Sequence, residues 1–153
     1  MKICIIGSGY VGLVSGACFS DLGNTVTCVD INKEVIKKLN KGIISIYEPG
    51  LQELVERNLK KKRLIFSTDI SSSIKKSDII FICVGTPTNK KTYEANLKYV
   101  YQVVKVIKKN LNKYKIIITK YTVPVTTGDK IEKLIKTKNN TKLFDVVSNP
   151  EFL

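Results

Sequence analysis

A chain of 153 residues is the size of one globular domain, and its 43% hydrophobic and 25% charged residues exclude disorder and fibrous repeats. The formal charge of +13 suggests a nucleic-acid partner, but Arg57 and Arg63 are the only arginines among the 26 basic residues, so the guanidinium forks that clamp phosphate and read guanine are scarce. No run of about 18 apolar residues occurs, and the opening apolar stretch breaks too soon at Gly7 for a signal segment, so no membrane partner is expected and the protein is expected in the cytoplasm.

Residues 2–6 (KICII) form a short apolar run that predicts a strand, and Val11, Val14, Cys18 and Leu22 recur at helical spacing after it. Gly23 and Asn24 close that helix, and Val26, Cys28 and Val29 lead into Asp30 as a second strand. Asn32 is placed to cap a helix that buries Val35, Ile36 and Leu39. After a loop with Pro49 and Gly50, Leu51, Leu54, Val55 and Leu59 mark another amphipathic helix. Its end, Lys60, Lys61, Lys62 and Arg63, is the one dense basic run and reads as a solvated helix terminus.

Residues 64–67 predict a strand, Thr68 or Asp69 caps a short helix through Ile74, and residues 78–84 predict a fully buried strand ending at Gly85-Thr86-Pro87-Thr88. Leu97, Val100, Tyr101, Val104, Ile107 and Leu111 signal a long helix, and Ile116, Ile117 and Ile118 a strand. A turn over 122–127, a helix carrying Ile131, Leu134 and Ile135, and a strand at Val146-Val147 complete the order. Strict βα alternation with doubly apolar strands predicts an α/β fold, a doubly wound and mostly parallel Rossmann sheet over residues 1–153. Cys4, Cys18, Cys28 and Cys83 lie in apolar stretches without C-x-x-C spacing, in a chain that contains no histidine, so they read as reduced core residues and not as metal ligands.

Gly7-Ser8-Gly9-Tyr10-Val11-Gly12 is a G-x-G-x-x-G sequence between a predicted strand and a predicted helix, the context in which such a turn binds a dinucleotide. Gly7 suits the tight turn, Gly9 the approach of a pyrophosphate to the backbone, and Gly12 close packing of helix on strand. The helix N-terminus then faces the anion. Asp30 follows Gly12 by 18 residues at the end of the second strand, where a carboxylate accepts hydrogen bonds from the adenosine ribose and repels a 2′-phosphate, so NAD is expected over NADP. Gly85-Thr86-Pro87-Thr88 and Thr122-Val123-Pro124-Val125 follow strands at their carboxyl ends and offer hydroxyls and free backbone donors to a ligand.

In this order, GSGYVGLVSG from Gly7, VDIN from Val29, IYEPGL from Ile46, FICVGTPT from Phe81, ANLKY from Ala95, TVPV from Thr122 and the closing SNPEFL resemble the UDP-glucose/GDP-mannose dehydrogenase family across essentially the whole chain. The resemblance implies NAD-dependent oxidation of the C6 alcohol of a UDP-sugar to a carboxylate, in two steps through a thioester on a cysteine. It assigns NAD to residues 7–12, Asp30, Val84, Gly85, Thr86, Pro87, Thr88, Tyr121 and Thr122. Thr122 and Glu151 match the family's water-holding threonine and its acid, and Glu151, Phe152 and Leu153 open its substrate loop.

The chain departs from the family's usual pattern at two positions. Tyr121 stands where the family usually has serine before TVP, and Val35 where relatives often carry a basic residue five positions after the ribose aspartate, with Lys33 as the nearest substitute. The family's catalytic cysteine, with its lysine and aspartate partners, falls beyond position 153, so the chain alone is expected to bind NAD without completing the oxidation, and homo-oligomers to form through that further region. IYEPGL favours UDP-glucose over an N-acetylated UDP-hexosamine or GDP-mannose as substrate. A free-standing NAD-binding module without catalysis is the alternative, and a nucleic-acid binder would show affinity falling steeply with salt.

Overall fold

The computed structural model describes residues 1–87, 95–121 and 126–150. Its strands and helices alternate: β1 (Lys2–Ile6), α1 (Tyr10–Asp21), β2 (Thr25–Val29), α2 (Lys33–Leu39), α3 (Leu51–Lys60), β3 (Leu64–Ser67), α4 (Ile70–Lys76), β4 (Ile79–Ile82), α5 (Lys98–Asn110), β5 (Lys115–Thr119), α6 (Thr127–Ile135) and β6 (Phe144–Ser148). All pairings are parallel and the spatial order is β3-β2-β1-β4-β5-β6, the doubly wound Rossmann order. Ile3 pairs with Val26 on one side and Ile79 on the other, so β1 lies at the centre, where the direction of winding reverses.

The period of two along β1 divides the core. Cys4 and Ile6 face the layer made by α4, α5 and α6, while Ile3 and Ile5 face the layer made by α1, α2 and α3. Each layer is sealed by short-range polar contacts. Asn32 Oδ1 accepts the Glu34 and Val35 N–H groups at 3.1 and 3.3 Å to start α2, and Asp69 Oδ1 accepts the Ser72 N–H at 2.9 Å to start α4.

Three expectations are corrected by the packing. On α1, Leu22 and Cys18 face solvent, and Val11 and Val14 are only half-buried, whereas Gly12, Leu13, Gly16, Ala17 and Ser20 are buried. A Cβ on Gly16 would lie 2.4 Å from Cys28 Sγ, so around the one large buried residue, Leu13, the inner face of this helix is set by small side chains that allow close approach to the sheet. Cys18 is consequently a surface thiol, whereas Cys4 and Cys28 are core residues and Cys83 is half-buried. The fourth strand is shorter than residues 78–84, because Asp78 is half-exposed and bound to Lys113, and residues 83–84 already belong to the loop.

Two buried polar side chains lock the lower edge of the layers. Lys115 is fully buried and its Nζ donates to the Ser77 carbonyl at 2.6 Å, satisfying an acceptor at the end of α4. Asn58, inside the apolar face of α3, donates through Nδ2 to Asp21 Oδ1 at 3.1 Å and to the Leu54 carbonyl at 2.9 Å.

Candidate dinucleotide-binding site

The three glycines of the first βα turn have three different reasons to be glycine. Gly7 has φ +104°, its N–H donates to the Val29 carbonyl at 2.8 Å, and a Cβ there would lie 2.5 Å from the Cys83 carbonyl oxygen. A Cβ on Gly12 would meet the Gly7 carbonyl oxygen at 1.9 Å, so α1 can begin this close to β1 only without a side chain. Gly9 has nothing within 4 Å of its missing Cβ and no side chain caps α1, which leaves backbone and space open to an anion at the positive end of the helix.

Asp30 completes the turn from the neighbouring strand. Its Oδ2 accepts the Ser8 N–H at 2.9 Å and its Oδ1 accepts the Asn32 N–H at 2.9 Å, so the carboxylate is held by backbone on both oxygens. Ser8 is buried, and its hydroxyl has no hydrogen-bond partner among the described residues. A cavity of about 490 Å³ opens beside this corner, and its lining includes Gly7, Gly9, Asp30, Cys83, Val84 and Gly85. That volume is in the usual range for a small-molecule site, about 300–1,000 Å³. The open backbone at Gly9, the unpartnered Ser8 hydroxyl and the Asp30 carboxylate beside them fit a dinucleotide.

Other sequence-predicted residues are placed differently. Tyr10 and Val11 supply the first turn of α1, but the Tyr10 side chain is directed outward, and its hydroxyl donates to the Glu48 carboxylate on the IYEPGL loop. Thr86 and Pro87 continue the loop after Gly85 without lining the cavity, and the Pro87 carbonyl accepts the Asn96 N–H at 2.9 Å. The Tyr121 ring is buried with Val100, Val104 and Ile131 in the core under α5 and α6, outside the cavity lining, and its hydroxyl has no partner among the described residues. Burial pushes its phenol well above the ordinary tyrosine range. Thr88, Thr122, Glu151, Phe152 and Leu153 lie outside the described residues.

Val35 packs against the core of α1, α2 and α3, and Lys33 stands exposed at the start of α2. Burial raises the thiol of Cys4 to about 12 and that of Cys28 further, so neither is a nucleophile at neutral pH. The remaining cavity wall includes Ile31, Thr68, Ile70, Tyr99, Gln102 and Val106, of which Ile70, Gln102 and Val106 carry no sequence signal. Ile31 and Tyr99 belong to the VDIN and ANLKY sequences, and Thr68 to the stretch that offers a cap to the short helix.

Residues 1–153 match the model of the UDP-glucose/GDP-mannose dehydrogenase family, NAD binding domain. The chain belongs to the UDP-glucose/GDP-mannose dehydrogenase family. The family's domain is the NAD-binding one, and the cofactor is therefore NAD. Among curated relatives of this family, the UDP-glucose 6-dehydrogenase TuaD of Bacillus subtilis is 54% identical over 99% of this chain and 33% of its own length. The UDP-glucose 6-dehydrogenase of Rhizobium meliloti is 48% identical over 100% of this chain and 35% of its own. The chain thus spans about a third of the length of the curated relatives it matches. Among solved structures, a GDP-mannose dehydrogenase from Pseudomonas aeruginosa superposes with a TM-score of 0.90 at 35% identity, covering 100% of this chain and 36% of that one. A UDP-glucose dehydrogenase from Pyrobaculum islandicum gives 0.90 at 32% identity, covering 99% and 36%. Among the described residues, no helix is long and apolar enough to cross a membrane.

Proposed function

We propose that the protein containing this chain oxidises UDP-glucose to UDP-glucuronate with NAD as the hydride acceptor, and that the chain supplies the NAD site. The observation that carries the proposal is the corner formed by Gly7, Gly9, Gly12 and Asp30 over the cavity. In this reading the pyrophosphate lies on the open backbone at Gly9 and the N-terminus of α1, with Ser8 and the Tyr10 and Val11 backbone beside it. The adenosine ribose hydroxyls donate to Asp30, whose carboxylate excludes a 2′-phosphate. Val84, Gly85, Thr86, Pro87, Thr88, Tyr121 and Thr122 are assigned to the nicotinamide half, on the strength of the resemblance and of the place of Val84 and Gly85 in the cavity lining. When bound there, NAD would supply the hydride acceptor; the chain's own residues would hold and orient it and disfavour NADP.

The substrate assignment rests on the identities of 54% and 48% to UDP-glucose 6-dehydrogenases and on the IYEPGL sequence from Ile46. Thr122 and Glu151 are assigned to a water molecule, which the hydroxyl holds and the carboxylate deprotonates during hydrolysis of the acyl-enzyme. Phe152 and Leu153 are assigned to the substrate loop, and the cysteine nucleophile and the oligomer contacts to the part of the relatives' length that this chain does not span.

Fluorescence titration of this chain with NADH and NADPH tests the cofactor site: NADH binds and NADPH binds more weakly. Equal affinities would refute the assignment of Asp30. In the complete enzyme, Glu151→Gln slows turnover of UDP-glucose and accumulates acyl-enzyme, and unchanged turnover would refute that of Glu151.

A further inference from the structure

In a parallel sheet the crossover helices run opposite to the strands, so the C-termini of α3, α4, α5 and α6 and the loops into the next strands gather at one end of the sheet, away from the dinucleotide corner. Backbone hydrogen bonds join the segments of that end. The Lys2 carbonyl accepts the Asp78 N–H at 2.8 Å, the Arg63 carbonyl the Val26 N–H at 2.7 Å, and the Leu143 carbonyl the Lys115 N–H at 2.9 Å. Asn112 Nδ2 donates to the Lys75 carbonyl at 3.2 Å and ties the loop after α5 to the end of α4.

Cations concentrate on this end. Residues 60–62, 75–76 and 108–109, where α3, α4 and α5 finish, are all lysine and all exposed. The helix dipole accounts for cations in a last turn, but not for Lys62, Lys138 and Lys142, which stand exposed in the loops beyond. The carboxylates of this end are already engaged: Asp21 by Arg57, Asp78 by Lys113, and Asp145 by the Tyr114 hydroxyl. The opposite end has acids where this one has lysines, with Glu34, Glu53 and Asp129 in the first turns of α2, α3 and α6. The formal charge of +13 is therefore directed to one side of the molecule. Leu22, at the end of α1, is 79% exposed on that side.

We infer that this end of the sheet docks on the surface of an anionic lipid bilayer. The face is broad, since six strands span about 25 Å from edge to edge. A planar field of headgroup charge matches a wide spread of lysines, each a mobile point charge on a flexible stem, and needs none of the guanidinium forks that the chain lacks. Leu22 enters the headgroup layer as an apolar contact. The dinucleotide corner then faces away from the bilayer and stays open to its ligand. Such contact is peripheral and requires no spanning helix.

Co-sedimentation of this 153-residue chain with lipid vesicles tests the inference. The chain binds vesicles of phosphatidylcholine containing about one third phosphatidylglycerol, ignores vesicles of phosphatidylcholine alone, and is released as salt rises from about 0.1 to about 0.5 M. Lys61→Gln/Lys75→Gln/Lys109→Gln weakens binding by about a hundredfold, about fivefold for each charge lost near the surface. Lys33→Gln/Lys98→Gln/Lys130→Gln removes the same charge from the starts of α2, α5 and α6, beyond the screening length of about 8 Å, and changes binding by less than about threefold. Both triple variants replace exposed side chains and keep Tm within about 2 °C, so lost binding is not lost folding. Equal binding to the two kinds of vesicle, or equal loss in the two triple variants, would overturn the inference. So would a DNA duplex bound at lower concentration than the anionic vesicles at the same salt, which would make this face a nucleic-acid surface.

Discussion

The carboxylate of Asp30 accepts the backbone N–H of Ser8 at 2.9 Å, so the end of β2 holds the glycine turn between β1 and α1 in place. One side chain thereby serves the shape of the pyrophosphate turn and the selection of the ribose. Asp30→Ala removes the acceptor from the N–H groups of both Ser8 and Asn32. It is expected to lower stability by about 1 kcal/mol, because water replaces the acceptor at this half-exposed position. NADH affinity falls more steeply than stability, and the preference for NADH over NADPH disappears. Chemical denaturation and paired titrations check both parts; a variant that loses affinity and keeps the preference would mean that the carboxylate only shapes the turn.

Gly12→Ala is a backbone collision and not a cavity-filling change. The new Cβ would be 1.9 Å from the Gly7 carbonyl oxygen, so α1 must shift away from β1. The expected cost is about 3 kcal/mol, a fall in Tm of about 10 °C for a chain of this size. NADH binding is lost at temperatures where the variant is still folded. Gly9→Ala, with open space around its Cβ, keeps Tm within about 2 °C and loses NADH affinity. Thermal unfolding together with titration separates the two glycines.

Tyr121 fills core volume but leaves its buried hydroxyl without a partner among the described residues. Tyr121→Phe is therefore expected to stabilise the chain by about 1 kcal/mol, raising Tm by about 2–4 °C. Tyr121→Ser, the residue usual in the family, opens a void under α5 and α6 and lowers stability by about 3 kcal/mol or more. Calorimetric Tm values for the two variants check the signs, and a destabilised Tyr121→Phe would mean that the hydroxyl is hydrogen-bonded in solution.

Two carboxylates predict the response to acid. Hydrogen bonds from Asn58 and Arg57 hold the Asp21 carboxyl below its usual range, and those from Lys113 and the Lys2 N–H do the same for Asp78. Groups with lowered folded-state values bind protons more readily when unfolded. Their contribution is complete above the unfolded value of about 3.9 and is lost as pH falls through the lower folded values. Urea denaturation between pH 6 and pH 2, carried out on the wild type and on Asp21→Asn/Asp78→Asn, checks this. The double variant starts less stable and shows a shallower decline below about pH 4.

Much of the site was legible in the sequence because its signals are local. Gly7, Gly9 and Gly12 are needed by one turn, Asp30 ends one strand, and Asn32 caps the helix that follows within three residues. The wall beside them was less legible, since Thr68 and Ile70 come from one segment and Tyr99 and Gln102 from another, and of these four only Tyr99 falls in a motif, ANLKY. They meet only because α4 and α5 cover the same face of the sheet.

Sequence by itself determined the alternation of strands and helices, the positions of most of their ends, the dinucleotide turn and its acid, and the family. These depend on hydrophobic period, on caps and on glycine spacing, all of which act within a few residues. Only the tertiary structure decided which face of α1 turns inward, that Tyr121 enters the core, that Lys115 is buried against the end of α4, and where the cavity opens. The apolar stripe of Val11, Val14, Cys18 and Leu22 misdirected the first of these, because close packing on β2 requires small side chains, Gly16 above all, around Leu13. Packing compares surfaces brought together from distant parts of the chain, and no local pattern records the shape of the partner.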